Sequence, residues 1–187
     1  MLPPPSLLGT GQILLGILVA IAAVVDIRYR RIPNWLVLAG IIVGLAWNVY
    51  SSDHWSSGLF RSLKGLGLGF ILYFPLYLIR ARGAGDVKLL AAVGAITGPG
   101  NCFWIFLLTA VLGGVIALIL LMFRGRVRHT FFNVGWMIQD LLHLRAPYKS
   151  NEELDVTSTK GMRLPHGAMI AVGVLAFFFM TKYGVSI

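Results

Sequence analysis

Six apolar runs separated by short polar clusters organise the chain: Leu7–Val25, Trp35–Tyr50, Leu66–Ile79, Val87–Thr97, Cys102–Phe123 and Gly167–Lys182. The first, fifth and sixth come close to the roughly 20 residues an α-helix needs to cross a bilayer. The second and third reach that length only with their flanks. The fourth is too short alone, so its helix is expected to begin within Gly83–Asp86 and to end near Pro99. The pattern predicts an all-α fold, a polytopic membrane helix bundle of about six transmembrane helices forming a single domain over residues 1–187. One sizeable hydrophilic stretch interrupts it. Residues 124–165 read as a cytoplasmic loop, with an interfacial helix over Phe131–Leu144 and a polar segment over Tyr148–Lys160.

Composition supports a membrane protein throughout rather than a soluble domain with one anchor. Of the 187 residues, 57% are hydrophobic and 12% charged, against about 45–50% and about 25% in soluble domains. The net charge of +9 would suit a nucleic-acid partner, but its cations sit in clusters between apolar runs. Arg28, Arg30 and Arg31, then Arg80 and Arg82, then Arg124, Arg126 and Arg128 all fall in loops on one predicted side. That is the distribution of topology-setting charge, and it argues against nucleic acid. It predicts that both chain ends lie outside, with Arg61, Lys64 and Lys182 on the outer side. No Lys or Arg precedes the first run, so that run is expected to be a membrane span and not a cleaved signal.

Several chemistries drop out. Cys102 is the only cysteine, which excludes an intramolecular disulfide and a Cys-rich zinc module. His54, His129, His143 and His166 lack metal-ligand spacing, so neither a metal nor a cofactor is expected. His166 is read as a packing or head-group contact. Gly65-Leu-Gly-Leu-Gly69 follows no strand and opens an apolar helix, so it is not a dinucleotide-binding turn. The other glycines suit close helix packing in lipid.

Seven residues are acidic, which makes their placement informative. Asp53 falls in a short outside loop, and Asp140, Glu152, Glu153 and Asp155 fall in the long loop. Asp26 and Asp86 each abut an apolar span, and both are expected at the same membrane face. A carboxylate at that depth is costly and marks a functional site by default. Two carboxylates side by side can share a proton, one serving as general base on water while the other donates to a carbonyl. The structural alternatives are that Asp26 ends or orients a helix and that Asp86 is a helix N-cap. Lys88 biases the pair, helps hold the loop, or reaches for the interface.

The segments around both acids resemble the type IV prepilin peptidases, a family of membrane aspartic proteases. Asp26-Ile-Arg-Tyr-Arg-Arg-Ile-Pro-Asn34 is similar to that family's first motif, and Gly83-Ala-Gly-Asp-Val-Lys-Leu-Leu-Ala-Ala-Val-Gly94 to its Gly-x-Gly-Asp motif. Leu164-Pro-His-Gly-Ala-Met-Ile-Ala-Val-Gly173 is similar to the start of its last helix, with His166 where an aromatic residue is more usual. The resemblance implies that Asp26 and Asp86 are the catalytic pair of a Gly-x-Gly-Asp aspartyl protease, with Gly83, Gly85, Lys88, Pro33 and Asn34 as supporting motif residues. It also implies a substrate: the basic leader of type IV prepilins or pseudopilins, cut at the cytoplasmic face of a prokaryotic inner membrane. Bifunctional members carry paired Cys-x-x-Cys motifs and methylate the new amino terminus. A lone Cys102 and a short first loop instead resemble the peptidase-only type of tight-adherence (Flp) pili. The competing classes are a proton-relaying transporter subunit, which would place its carboxylates near mid-membrane, and a non-catalytic scaffold of a pilus assembly machine.

Overall fold

The computed structural model describes residues 5–78, 83–123 and 166–183. They form six helices: α1 (Pro5–Tyr29), α2 (Asn34–Ser51), α3 (Trp55–Leu78), α4 (Ala84–Thr97), α5 (Pro99–Phe123) and α6 (His166–Lys182). No strand occurs among the described residues. The expected loop over residues 124–165, with its interfacial helix, lies outside them, as do Arg80, Arg82, His129 and His143. The chain is a multi-pass membrane protein: α1, α2, α3 and α5 are each long and apolar enough to span a bilayer, and α6 is a shorter apolar helix.

The helices are sorted inside out relative to a soluble protein. Large apolar side chains such as Ile13, Ile17, Ile21 and Val24 of α1 point outward, as do Val111, Val115, Leu118 and Met122 of α5. Small residues point inward. The buried stripe of α2 runs Leu36, Val37, Gly40, Gly44 and Asn48, and that of α3 runs Gly58, Ser62, Gly65, Gly69 and Tyr73. Both repeat at three- and four-residue intervals, one face of a helix. Lipid tails give apolar side chains no reason to cluster, so close backbone approach at small residues holds the bundle together.

That approach centres on α4. A Cβ on Gly65 would collide with the Gly94 carbonyl, and one on Gly69 with that of Leu90. On the other side, a Cβ on Gly44 would lie 2.7 Å from the carbonyl carbon of Ala95. Two neighbouring backbones therefore press directly on α4, and its residues from Asp86 to Ile96 are buried with the exception of Lys88. The helix has 14 residues, a length of about 21 Å against a hydrocarbon thickness of about 30 Å. Its carboxyl end is packed between α2 and α3, where side chains meet the last carbonyls. Asn48 Nδ2 donates to the carbonyls of Ala95 (2.9 Å) and Ile96 (3.0 Å), and Ser62 Oγ donates to Ala95 (2.6 Å). Gly98, at φ 78°, closes the helix with its N–H on the Gly94 carbonyl at 2.9 Å. Its left-handed backbone suits a residue without a Cβ.

One difference from the sequence reading stands out. The third helix begins at Trp55, well before the expected Leu66, so Arg61 and Lys64 are helical and not loop residues. The polar stretch hid a helix because its buried face is Gly58, Ser62 and Gly65, while the charges face outward. The fourth helix starts and stops where expected, between Gly83 and Pro99.

The six helices fall into two groups. Helices α2, α3 and α4 pack tightly on one another, α1 packs chiefly against α6, and α5 touches both groups. Beyond the carboxyl end of α4, Gln12, Asn48, Arg61, Thr97, Asn101 and Thr181 help line a cavity of about 280 Å³. Asn48→Ala removes the donor to both carbonyls at the end of α4 and should cost about 1–3 kcal/mol. Thermal unfolding in detergent would report this as a lower midpoint, and an unchanged midpoint would show that water already reaches those carbonyls.

Candidate active site

Five polar or charged side chains are buried among the described residues: Asp26, Asn48, Ser62, Asp86 and Thr109. Asn48 and Ser62 cap α4, and Thr109 Oγ1 donates within its own helix to Ile105 at 2.7 Å. The two that remain are the carboxylates of Asp26 and Asp86, each 7% exposed.

Asp26 lies on the buried stripe of α1, continuing Leu15, Leu18, Val19 and Ala22 at helical spacing into the last turns. A carboxylate there faces the negative end of its own helix dipole. The opposing element supplies the compensation. The Gly167 amide, in the first turn of α6, donates to Asp26 Oδ2 at 2.7 Å, and the Ala168 amide also interacts with this carboxylate. The α1 chain then turns at Arg30, whose φ of 52° is left-handed and whose N–H closes on the Asp26 carbonyl at 2.8 Å. That αL residue ends the helix and directs residues 31–33 toward α2.

Asp86 occupies the first turn of α4, the favourable end for an acid. It is not the N-cap that a purely structural role would suggest. The N-cap is Gly83, in extended conformation at φ −77° and ψ 150°, and the Asp86 amide donates to the Gly83 carbonyl at 3.2 Å. Neither glycine of the motif uses a left-handed backbone. Gly85 serves close approach instead, since a Cβ there would sit 3.3 Å from that of Ile32.

The two motifs are thus in contact. Ile32 faces Gly85, and Lys88 Nζ donates to Asn34 Oδ1 at 3.1 Å. Pro33 is the N-cap of α2 and Asn34 its first residue, so this exposed bond ties the start of α2 to the first turns of α4. Lys88 therefore has a defined partner, which the sequence could not supply. The carboxyl end of α1 and the amino ends of α2, α4 and α6 all meet at one end of the bundle, and both acids are there. His166, the first residue of α6, is half-buried at the same end. No cluster of three or more His, Cys, Asp or Glu residues suited to a metal occurs among the described residues.

Sequence reasoning gave no role to Gly167 or Ile32, though both lie in or beside the motifs it singled out. The signal for Gly167 was a glycine directly at the start of the last apolar run, on the side where the acids were expected.

The sequence profile of the type IV leader peptidase family matches residues 13–118, a stretch that contains both acids and both motifs. The chain belongs to the type IV leader peptidase family. Two relatives carry the printed name "Prepilin leader peptidase/N-methyltransferase". The one from Xanthomonas campestris pv. campestris is 30% identical over 129 residues, covering 65% of this chain and 44% of that protein. The one from Escherichia coli K12 is 32% identical over 97 residues, covering 50% of this chain and 43% of that protein. The chain thus spans less than half the length of these two curated relatives. No solved structure matches it.

The contact between the leader-peptidase motifs can be tested by cross-linking. Paired cysteines at Ile32 and Gly85 would place their Cβ atoms close to the roughly 3.5–4.5 Å of a disulfide. In a Cys102→Ser background, mild oxidation should remove both thiols from reaction with a maleimide reagent. Two fully reactive thiols would show that the motifs do not meet.

Proposed function

We propose that the chain is a membrane-embedded aspartic endopeptidase that removes the basic leader from type IV prepilins or pseudopilins, with Asp26 and Asp86 as its catalytic pair. The observation that carries this reading is the pair itself. After the helix-capping side chains are accounted for, two buried carboxylates remain, both at one end of the bundle and each in the first turn of, or bonded to the first turn of, a different helix.

The chemistry follows from carboxylates alone. One takes a proton from water as the water oxygen bonds to the scissile carbonyl carbon, and the other gives a proton to the carbonyl oxygen. The resulting tetrahedral diol expels the amine as the C–N bond breaks, and the nitrogen takes up a proton from the pair. The buried setting excludes bulk water and strengthens every charge interaction in these steps.

In this reading the acid-bearing end faces the cytoplasm of a prokaryotic cell across its inner membrane. Arg28, Arg30, Arg31 and Lys88 lie at that end, as positive-inside charge would. The start of α1 and the end of α6 then both lie outside. Only residues 30–33 join α1 to α2, and Cys102 is buried at the head of α5, which favours the peptidase-only, Flp-type reading over a methyltransferase. A proton-relay subunit fits less well, because among the described residues Asp86 is the one carboxylate buried along α4.

Purified protein in liposomes should cut a prepilin-type substrate. Asp26→Asn and Asp86→Asn should each slow the reaction by at least about 10²-fold while leaving insertion and thermal unfolding close to wild type. Asp53→Asn, in the loop before α3, should cut normally. Full activity in either buried variant would overturn the catalytic assignment.

A further inference from the structure

The Asp26 carboxylate is met by the amide of a residue with no side chain. We propose that Gly167 is a positioning residue for the reaction. Its amide fixes Oδ2 of Asp26 so that Oδ1 is the oxygen that exchanges the catalytic proton, and its missing Cβ leaves the carboxylate room to lie there. This rests on the reading of Asp26 and Asp86 as the catalytic pair.

Three observations converge on it. The first is the hydrogen bond, Gly167 N to Asp26 Oδ2 at 2.7 Å between buried groups 141 residues apart in sequence. An amide in the first turn of a helix has no partner within that helix, so the bond satisfies a donor that would otherwise be orphaned in a dry environment. Accepting this N–H makes Oδ2 the weaker base of the two oxygens, so the exchanged proton falls to Oδ1.

The second is steric. A Cβ at position 167 would fall 3.0 Å from Asp26 Cβ, 3.1 Å from Oδ2 and 3.2 Å from Cγ. All three neighbours belong to the same aspartate, so any side chain at 167 displaces the carboxylate itself. The third is that the glycine is not needed for its backbone. Among the described residues, Gly98 is the glycine with positive φ, and Gly167 continues an ordinary helix.

Gly167 differs in this from the other glycines of the same interface. Gly173, two turns further along α6, meets Thr109 of α5 and serves helix packing. A Cβ on Gly113 of α5 would reach Met169 only at 4.0 Å. These positions separate a packing defect from a displaced carboxylate.

The experiment measures cleavage of a synthetic prepilin-type peptide by the full chain in liposomes. It compares wild type, Gly167→Ala, Gly113→Ala, both Asp→Asn variants, and a protein in which glycolic acid replaces Gly167, turning its amide into an ester. The ester removes the N–H and adds no bulk. Gly167→Ala should lower kcat by tenfold or more, since misplacement of a reacting group by a fraction of an ångström up to 1 Å costs up to about 10²-fold. KM should be unchanged and the pH–rate profile displaced. The ester should lower kcat in the same direction and displace the same profile, with Gly113→Ala behaving as wild type. A Gly167→Ala protein that does not fold leaves the ester to decide. An ester protein with wild-type kcat and pH profile overturns the proposal, as does a fully active Gly167→Ala protein, even where both Asp→Asn variants are inactive. Active Asp→Asn variants would instead defeat the catalytic pair on which it rests.

Discussion

A helix of fourteen residues that ends inside a membrane protein must hand its last carbonyls to someone else. In this chain Asn48 and Ser62 receive them, and the position of Asp86 follows from that arrangement. With its far end held by side-chain donors and its flanks pressed by the glycines of α2 and α3, α4 has little freedom to slide or turn. Its first turn, and the carboxylate in it, is therefore fixed by interactions more than a dozen ångströms away along the helix axis, as expected from about 1.5 Å of rise per residue.

The second acid is held by different means. Asp26 continues the buried stripe of α1 and would be poorly placed next to its own helix carboxyl end, but α6 brings the amino end of another helix to meet it. Each carboxylate therefore sits in the field of a helix amino terminus, one from within its own helix and one from across the bundle. Ile32 against Gly85 and Lys88 on Asn34 connect the two motifs without involving either acid directly. The surrounding residues thus separate into those that place the helices and those that touch a carboxylate.

Much of this was legible in the sequence, for reasons that can be named. Two acids beside apolar spans stand out because lipid makes them costly, and the glycine-bounded start of α4 could be placed to within a residue or two. What escaped was set by contacts between distant segments. The first half of α3 looked like a loop because Arg61 and Lys64 interrupt its hydropathy, and only packing against α2 and α4 reveals Gly58, Ser62 and Gly65 as a buried face. Asn48 drew no reading from the sequence, because its role depends on carbonyls 47 and 48 residues further on. Gly167 resembled any packing glycine until the carboxylate beside it was located.

The grouping of helices has a mechanical consequence. Asp86 belongs to the tight trio of α2, α3 and α4, and Asp26 to the pair of α1 and α6, so the line between the acids crosses the boundary between two bodies. A small rocking of pair against trio changes the separation of the carboxylates but disturbs neither the cap on α4 nor the amide on Asp26. If Asp26 and Asp86 are the catalytic pair proposed above, a substrate helix wedged against that boundary would act on the chemistry as a lever.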